Sequence, residues 1–233
     1  MERLHNGFTL SLSDGAFPLS TDSVALSGFV KLPKNAKVLD LGSGCGTLGL
    51  LLCARDPGCT VTGVEIDPKA HQMAEHNAAA NGIASRLCSI CADLRSIPGI
   101  LNPGSFHVCI SNPPYFSAGP QSASVPIARR DDILPMEDLF RAAAWSLRYG
   151  GDFFLVHRPE RLAELFACAA RHQLEPKVLR LLRHKEDGPV TLVLVRCRKG
   201  AKPGLVCEET SLHHPDGTPT PYYRELYHIY TSS

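Results

Sequence analysis

The sequence predicts an α/β fold: a mostly parallel seven-stranded sheet with one antiparallel edge strand and helices on both faces. Three observations predict it. Short β-rich runs alternate with helical periods through the middle of the chain. A glycine-rich loop, Gly42–Gly46, separates the first such run from the helical period after it. The last two runs are joined only by a polar turn, a hairpin that places one antiparallel strand at an edge.

The elements follow in order. Lys37–Leu41 (KVLDL) reads as the first strand, followed by the glycine loop and a helix ending near Arg55. Thr60–Glu65 (TVTGVE) is the second strand. Asp67 then caps a helix that has Pro68 at its first position, the favoured arrangement at a helix start. Ala70, Met73, Ala74 and Ala78 form the apolar face of that helix, and Asn81-Gly82 ends it. Arg86–Cys91 and Phe106–Ser111 (FHVCIS) are the third and fourth strands, the latter stopped by Asn112-Pro113-Pro114. Leu139, Phe140, Ala143, Ala144 and Leu147 mark a helical face closed by Gly150-Gly151. Asp152–Val156 is the fifth strand, and Leu162, Leu165, Phe166, Ala169 and Ala170 mark the next helix. Val178–Leu182 and Val190–Arg196 complete the sheet around a turn at Lys185–Pro189. From Gly200 onward the chain is rich in Pro, Gly and Thr and reads as a tail that packs by its tyrosines. Residues 1–233 thus read as a single domain: a front segment 1–35, a core 36–199 and a tail 200–233 packed on the core.

Composition narrows the function classes. Hydrophobic residues make up 44% and charged residues 20%, which excludes a wholly disordered chain and a coiled coil. Lys+Arg is 24 and Asp+Glu 23, a net charge of +1, so no global field draws the protein onto nucleic acid or an anionic membrane. A polyanion site must be a local patch. Met1–Leu26 lacks an apolar signal core, and no stretch approaches the roughly 18 apolar residues of a membrane span. The nine cysteines are scattered through apolar runs, as expected of small buried hydrophobes in a reducing cytoplasm. Cys88 and Cys91 form a lone CxxC on an expected strand, short of the four ligands of a structural zinc, and no metal is expected.

Four polar residues fall at the carboxyl ends of successive strands or just past them: Asp40, Glu65, Asp93 and Asn112. Ligands of open α/β sheets bind outside those ends, near the switch in strand order. The loop Asp40-Leu41-Gly42-Ser43-Gly44-Cys45-Gly46 selects the ligand class. Its third glycine comes one residue too early for a dinucleotide fingerprint, and no phosphate-loop motif exists anywhere in the chain. An acid before the loop opposes a pyrophosphate and suits a ligand with an amino group and a cationic centre. S-adenosylmethionine is such a ligand. Glu65 is placed to take both ribose hydroxyls with its two oxygens, and Asp93 to accept the exocyclic amine of adenine. Ile66 and Leu94, beside these two acids, complete the expected cofactor pocket with Gly42, Ser43, Gly44 and Gly46.

Asn112-Pro113-Pro114-Tyr115 is the most specific tetrapeptide. Its prolines fix φ and leave no N–H donors, so the carbonyls project into the cleft. The Asn112 side-chain oxygen and the Pro113 carbonyl are each suited to accept one hydrogen of a planar amine. Two acceptors favour pyramidalisation and aim the nitrogen lone pair at a methyl donor, while Tyr115 stacks on the base carrying the amine.

Asp40–Gly46, Glu65, Asp93 and Asn112–Tyr115 together resemble class I S-adenosylmethionine-dependent methyltransferases acting on exocyclic or amide nitrogen. Four further stretches, His5–Phe8, Pro18–Ser23, Val156–Leu162 and Tyr222–Tyr227, are similar to the bacterial tRNA(Val) adenine-37 N6-methyltransferase family. The resemblance covers nearly the whole chain and implies a Rossmann-like class I methyltransferase fold. It also implies that Thr21 and Asp22 help close the cofactor pocket. Cys45 inside the loop and the prolines Pro219 and Pro221 in the tail depart from the pattern.

The activity so implied is methyl transfer from S-adenosylmethionine to N6 of an adenine in RNA, with tRNA as the substrate. It needs no metal, membrane or obligate protein partner. Arg129-Arg130, in an aperiodic lid-like stretch after Tyr115, and His157, past the fifth strand, are the expected substrate contacts. Arg180, Arg183-His184-Lys185 and Arg196–Lys202 are further basic clusters, the last taken as a second phosphate footprint along the same face. Protein glutamine N5-methylation and ribosomal guanine N2-methylation use the same planar amine. From another class, a cofactor-binding RNA assembly factor is opposed by the intact Asn112–Tyr115.

Overall fold

The computed structural model describes residues 2–4, 7–13, 19–114 and 135–231, with side chains as far as Tyr227. A two-stranded ribbon, β1 (Glu2–Arg3) and β2 (Thr9–Leu10), precedes α1 (Thr21–Phe29). The alternating part runs β3 (Lys37–Leu41), α2 (Thr47–Arg55), β4 (Thr60–Glu65), α3 (Pro68–Ala80) and β5 (Leu87–Cys91). It continues with the short α4 (Ile97–Ile100), then β6 (Phe106–Ser111), α5 (Met136–Ser146), β7 (Leu147–His157) and α6 (Leu162–Arg171). The chain closes with β8 (Leu174–Lys185), β9 (Val190–Lys199), β10 (Val206–His213) and α7 (Pro221–Thr231).

The main sheet has the order β10-β8-β9-β7-β6-β3-β4-β5. Strand alternation splits its apolar residues between two faces. Val38, Val108, Ile110, Phe154, Val156, Leu192 and Leu194 pack on one face with residues of α1 and α2. Leu39, Cys109, Phe153, Leu155, Val193 and Val195 pack on the other with α5 and α6. Leu4 and Leu10 from the front and Leu212 and Leu226 from the tail join the first cluster.

The sheet has eight strands rather than seven, and the antiparallel strand is not at an edge. β9 lies between β7 and β8, antiparallel to both. Leu192–Val195 of β9 are buried on both faces, which an edge position does not provide. The additional strand is β10, parallel to β8. Its partly exposed sequence VCEETSLH carries two glutamates that meet the arginines of β8. Arg180 pairs with Glu208 at 2.7 Å and Arg183 with Glu209 at 3.6 Å. The Pro- and Gly-rich flanks of this segment conceal a strand laddered to β8 from Val206 to His213, with Leu212 buried in the first cluster. Gly150-Gly151 do not close a helix either; α5 ends at Ser146, and Leu147 already begins β7.

Asp67 caps α3 as expected, accepting from the Lys69 N–H, and Gly82 follows its end at φ +67°. Two asparagines one turn apart on α3 do more than end it. Asn77, buried to 1% exposure, accepts from Ser11 N through Oδ1 and donates through Nδ2 to Ser11 O and Cys45 O. Asn81 exchanges the same pair of bonds with the backbone of Thr9. The two amides imitate a neighbouring strand and fasten the front segment to the helix that flanks the glycine loop.

Asn77→Ala strands one buried backbone group, Cys45 O, and two half-buried ones, the N–H and C=O of Ser11. We expect it to lower unfolding free energy by about 2–4 kcal/mol in urea denaturation, since each unsatisfied buried group costs about 1–3 kcal/mol. Asn81→Ala, whose bonds are nearer the surface, is expected to lose less.

Candidate functional site

β3 lies inside the sheet, with β4 and β5 on one side and β6, β7 and the remaining strands on the other. The connections therefore diverge between β3 and β6, and the carboxyl ends there leave a crevice. Three groups of the expected site converge on it: the glycine loop after β3, Glu65 at the end of β4 and Asn112 just past β6.

The loop folds back on β4. Gly42 N and Ser43 N both donate to Val64 O, at 2.9 and 3.1 Å. Gly42, Gly44 and Gly46 have φ of +74°, +55° and +82°, a region that side chains disfavour, and so the spacing of the glycines follows from the turn itself. Glu65 fastens this turn. Its Oε2 accepts from Gly44 N at 2.8 Å and its Oε1 from Asp67 N at 2.8 Å. A carboxylate has about four acceptor sites, so each oxygen keeps capacity for a ribose hydroxyl.

Asp40 is 1% exposed, and neither carboxylate oxygen has a hydrogen-bond partner among the described residues. Burial, aided by the Glu65 charge, pushes its pKa up to about 8. The Ser43 hydroxyl beneath the loop is likewise buried without a partner. It occupies the space over Gly63, where an added Cβ would stand 2.5 Å from Ser43 Oγ and 2.8 Å from its Cβ. Unpaired buried acceptors are rare and costly. These fit a ligand that brings an amino group.

Asp93 differs from the sequence reading. It caps the single 3₁₀ turn Leu94–Ser96, accepting from Arg95 N, and also binds the Arg95 side chain through both oxygens. That contact holds its carboxyl below the usual range. To accept a ligand amine, Asp93 must use its remaining lone pairs or release Arg95. Ile66 is 45% exposed beside Glu65, an apolar surface available to cover a flat ring, while Leu94 is buried.

Asn112 is half-buried, and its Nδ2 donates to Ser23 Oγ at 3.1 Å. Ser23 Oγ also receives a bond from Ser20 Oγ, the residue that caps α1. α1 thereby orients the amide. Its first turn also carries Asp22 and Thr21, and Thr21 Oγ1 lies 3.4 Å from the Tyr227 hydroxyl of α7. Ser111 Oγ donates to Leu41 O at 2.7 Å and locks the ends of β6 and β3 together. Pro113 is buried and Pro114 half-buried.

Tyr115, Arg129 and Arg130 lie outside the described residues. His157, expected as a substrate contact, is buried at 3% exposure, and its Nδ1 accepts from Arg158 N. The Arg196–Lys202 run is not on the site's face. β9 is antiparallel, and Arg198 stands opposite Asp152 near the start of the parallel strands, away from their carboxyl ends. Much of the run is structural there: Arg198 pairs with Asp152, and Lys199 donates to Ala144 O and Leu147 O. Ser23 and Asn77 escaped sequence reasoning. Their signal, a polar residue on a helix face otherwise apolar, is common and nonspecific.

A glycine loop, an acid beneath it, an acid at the next strand end and Asn-Pro-Pro past a central strand define an α/β enzyme site for a nucleoside-bearing ligand. Residues 22–166 match the methyltransferase small domain family. A tRNA1(Val) (adenine(37)-N6)-methyltransferase of Porphyromonas gingivalis is 31% identical over 192 residues, covering 77% of this chain and 74% of that protein. The enzyme of the same name from Aeromonas hydrophila is 30% identical over 217 residues, covering 91% and 89%. The chain belongs to the methyltransferase small domain family, in the group of the tRNA1(Val) (adenine(37)-N6)-methyltransferases. A solved structure described as a predicted O-methyltransferase of Agrobacterium tumefaciens superposes with TM-score 0.76 at 22% identity, covering 90% of this chain and 96% of that one. A geranyl diphosphate methyltransferase in complex with S-adenosylmethionine gives 0.55 at 14% identity, covering 76% and 84%. Both establish the Rossmann-like fold.

Asp40 also sets a pH signature. Its folded pKa lies above the unfolded value, so the ligand-free protein binds this proton more tightly than the unfolded chain does. Stability from this group is full below about pH 4 and is lost as pH rises to about 8, at up to about 1.4 kcal/mol per unit. Asp40→Asn is expected to flatten the fall in Tm between about pH 5 and pH 8. An unchanged slope would mean that Asp40 is already ionised.

Proposed function

We propose that this protein transfers a methyl group from S-adenosylmethionine to the exocyclic N6 of an adenine in tRNA. The observation that carries the reading is the placement of Asn112-Pro113 at the crevice where the Glu65-clamped glycine loop and buried Asp40 meet. The names of the relatives from P. gingivalis and A. hydrophila support tRNA as the substrate.

When bound, S-adenosylmethionine supplies an electrophilic methyl group on a sulfonium centre. The chain's part is positioning and electrostatics. Asp40 sits under the loop where the amino group of the cofactor's methionine portion needs a counter-charge, and that amine ends the isolation of the buried carboxyl. Glu65 takes the ribose hydroxyls while still holding Gly44 and Asp67. Ile66 and Leu94 flank the adenine, and Asp93 accepts its amine. Thr21 and Asp22 close the pocket from the front. Asn112 Oδ1 and Pro113 O accept the two hydrogens of the target amine. Ser23, by accepting from Nδ2, keeps the amide oxygen on that side. With the cofactor bound, its methyl group would pass to the lone pair of the target nitrogen while the bonding pair stayed on sulfur, and that nitrogen would lose one proton to solvent. Tyr115 stacks on the base, and Arg129 and Arg130 take phosphate. The whole chain works as one domain, with its front segment and tail closing over the core.

Among the described residues no helix is long and apolar enough to cross a membrane. A tRNA-directed activity places the protein in the cytoplasm.

Mass spectrometry of nucleosides from tRNA incubated with the enzyme and cofactor tests the reading; N6-methyladenosine is the expected product. Its absence, with methylglutamine formed in a protein substrate instead, would move the activity to the amide class. Glu65→Ala is expected to weaken cofactor binding in calorimetry by about 1.5–3 kcal/mol, the worth of hydrogen bonds to a charged group. Asn112→Ala is expected to lower kcat about 10²-fold or more with little change in cofactor affinity, the behaviour of a contact that strengthens in the transition state.

A further inference from the structure

A second cleft opens at the other end of the sheet, beside the amino ends of the parallel strands. Its volume is about 240 Å³, and its charged lining is Lys31, Arg148, Arg196, Arg198 and Asp152, with His107 beside them. Four cations face one carboxylate, an excess of three positive charges on a protein whose net charge is +1. Asp152 is committed to Arg198 through both oxygens, at 2.8 and 2.9 Å. Lys31, Arg148 and Arg196 have no ion-pair or hydrogen-bond partner among the described residues. Arg196 is the telling one: it sits on interior strand β9, and its Nε is buried without a partner. A desolvated guanidinium N–H is costly unless an acceptor, best an oxyanion, meets it. His107 adds a neutral donor. Its Nδ1 accepts from Lys37 N at 2.9 Å, which leaves the ring proton on Nε2, and burial with Arg148 and Lys37 nearby holds its pKa down.

We propose that this cleft is a phosphate-binding subsite that grips the sugar–phosphate backbone of the RNA substrate away from the target base. The proposal rests on the RNA reading above. The five residues of β3 between the two ends span about 16 Å at strand rise, less than the roughly 34 Å of one nucleic-acid helical turn. One turn of an RNA arm is thus longer than the sheet is deep between its two ends, the scale on which a single arm can touch both. Planar guanidinium forks such as those of Arg148 and Arg196 match phosphate oxygens. A near-neutral protein then holds a polyanion by two separated local contacts rather than by an overall field.

The test uses the full-length protein and an unmodified tRNA transcript, with binding and steady-state methylation measured across a salt series. Arg148→Glu alters an exposed side chain and Arg196→Gln a half-buried one, and the Tm of each reports folding. Each is expected to raise the KM for tRNA about tenfold, the worth of one charge-assisted contact. Each is also expected to make the slope of log K against log salt shallower by about 0.7–0.9 per lost phosphate. kcat at saturating tRNA and cofactor affinity are expected to stay unchanged, which a merely structural defect would not produce. If the wild type methylates tRNA and Arg148→Glu, folded, keeps its slope and KM, the cleft is not an RNA site. If inorganic phosphate raises the Tm of the wild type but not of the variants while the RNA slope is unmoved, the site takes a free anion and the RNA assignment is overturned. If the wild type neither binds nor methylates tRNA, the functional reading itself fails first.

Discussion

Two carboxylates at the ends of adjacent strands govern this molecule. Glu65 spends both oxygens on backbone N–H groups, Gly44 in the glycine loop and Asp67 at the cap of α3. Asp40, one strand away, spends neither and is held with its pKa near 8. One acid shapes the loop and the other is kept desolvated beneath it. The left-handed glycines of the loop lead to Gly46 at the cap of α2, and Ser43 packs so closely on β4 that residue 63 must be glycine. A preorganised, water-poor acid next to a ready ring of backbone donors and acceptors is the means by which such a site gains electrostatic strength.

The pieces around this centre come from distant parts of the chain. Asn77 joins the loop at Cys45 to Ser11 in the front segment. Ser23 reaches from α1 to Asn112, and Tyr227 reaches from the last helix to Thr21 on the same turn. α1 is thus held from the tail while it orients the amide at the reacting end. The front segment and tail become parts of the site through hydrogen bonds, two of them made by Ser23 and Asn77, to which the sequence assigns no role.

Charge is distributed by the same economy. Arginines of the basic clusters in the sequence are largely consumed internally: Arg180 and Arg183 by the glutamates of β10, and Arg198 by Asp152. Among the described residues, the cleft around Arg196 gathers Lys31, Arg148 and Arg196, whose charges no ion pair offsets and which are open to an outside polyanion.

The sequence by itself determined the strand and helix order of the core, the glycine loop, the acids at the strand ends and the Asn-Pro-Pro stop. Each is a local consequence: alternation buries a strand, left-handed turns demand glycine, and proline ends a ladder. It did not reveal that residues 206–213 form an eighth strand, because this partly exposed, charged segment sends only Leu212 into the core and its ladder partner β8 is chosen by tertiary structure. Nor did it show that β9 lies inside the sheet, that His157 is buried, or that Arg196–Lys202 faces the end opposite the site. Which end of a sheet a strand presents depends on its direction and neighbours, and those are set by contacts between residues far apart in the chain. Tertiary structure alone brought Ser23 to Asn112 and Asn77 to Ser11, since one polar side chain on a helix looks the same in sequence whether it meets water or a buried partner.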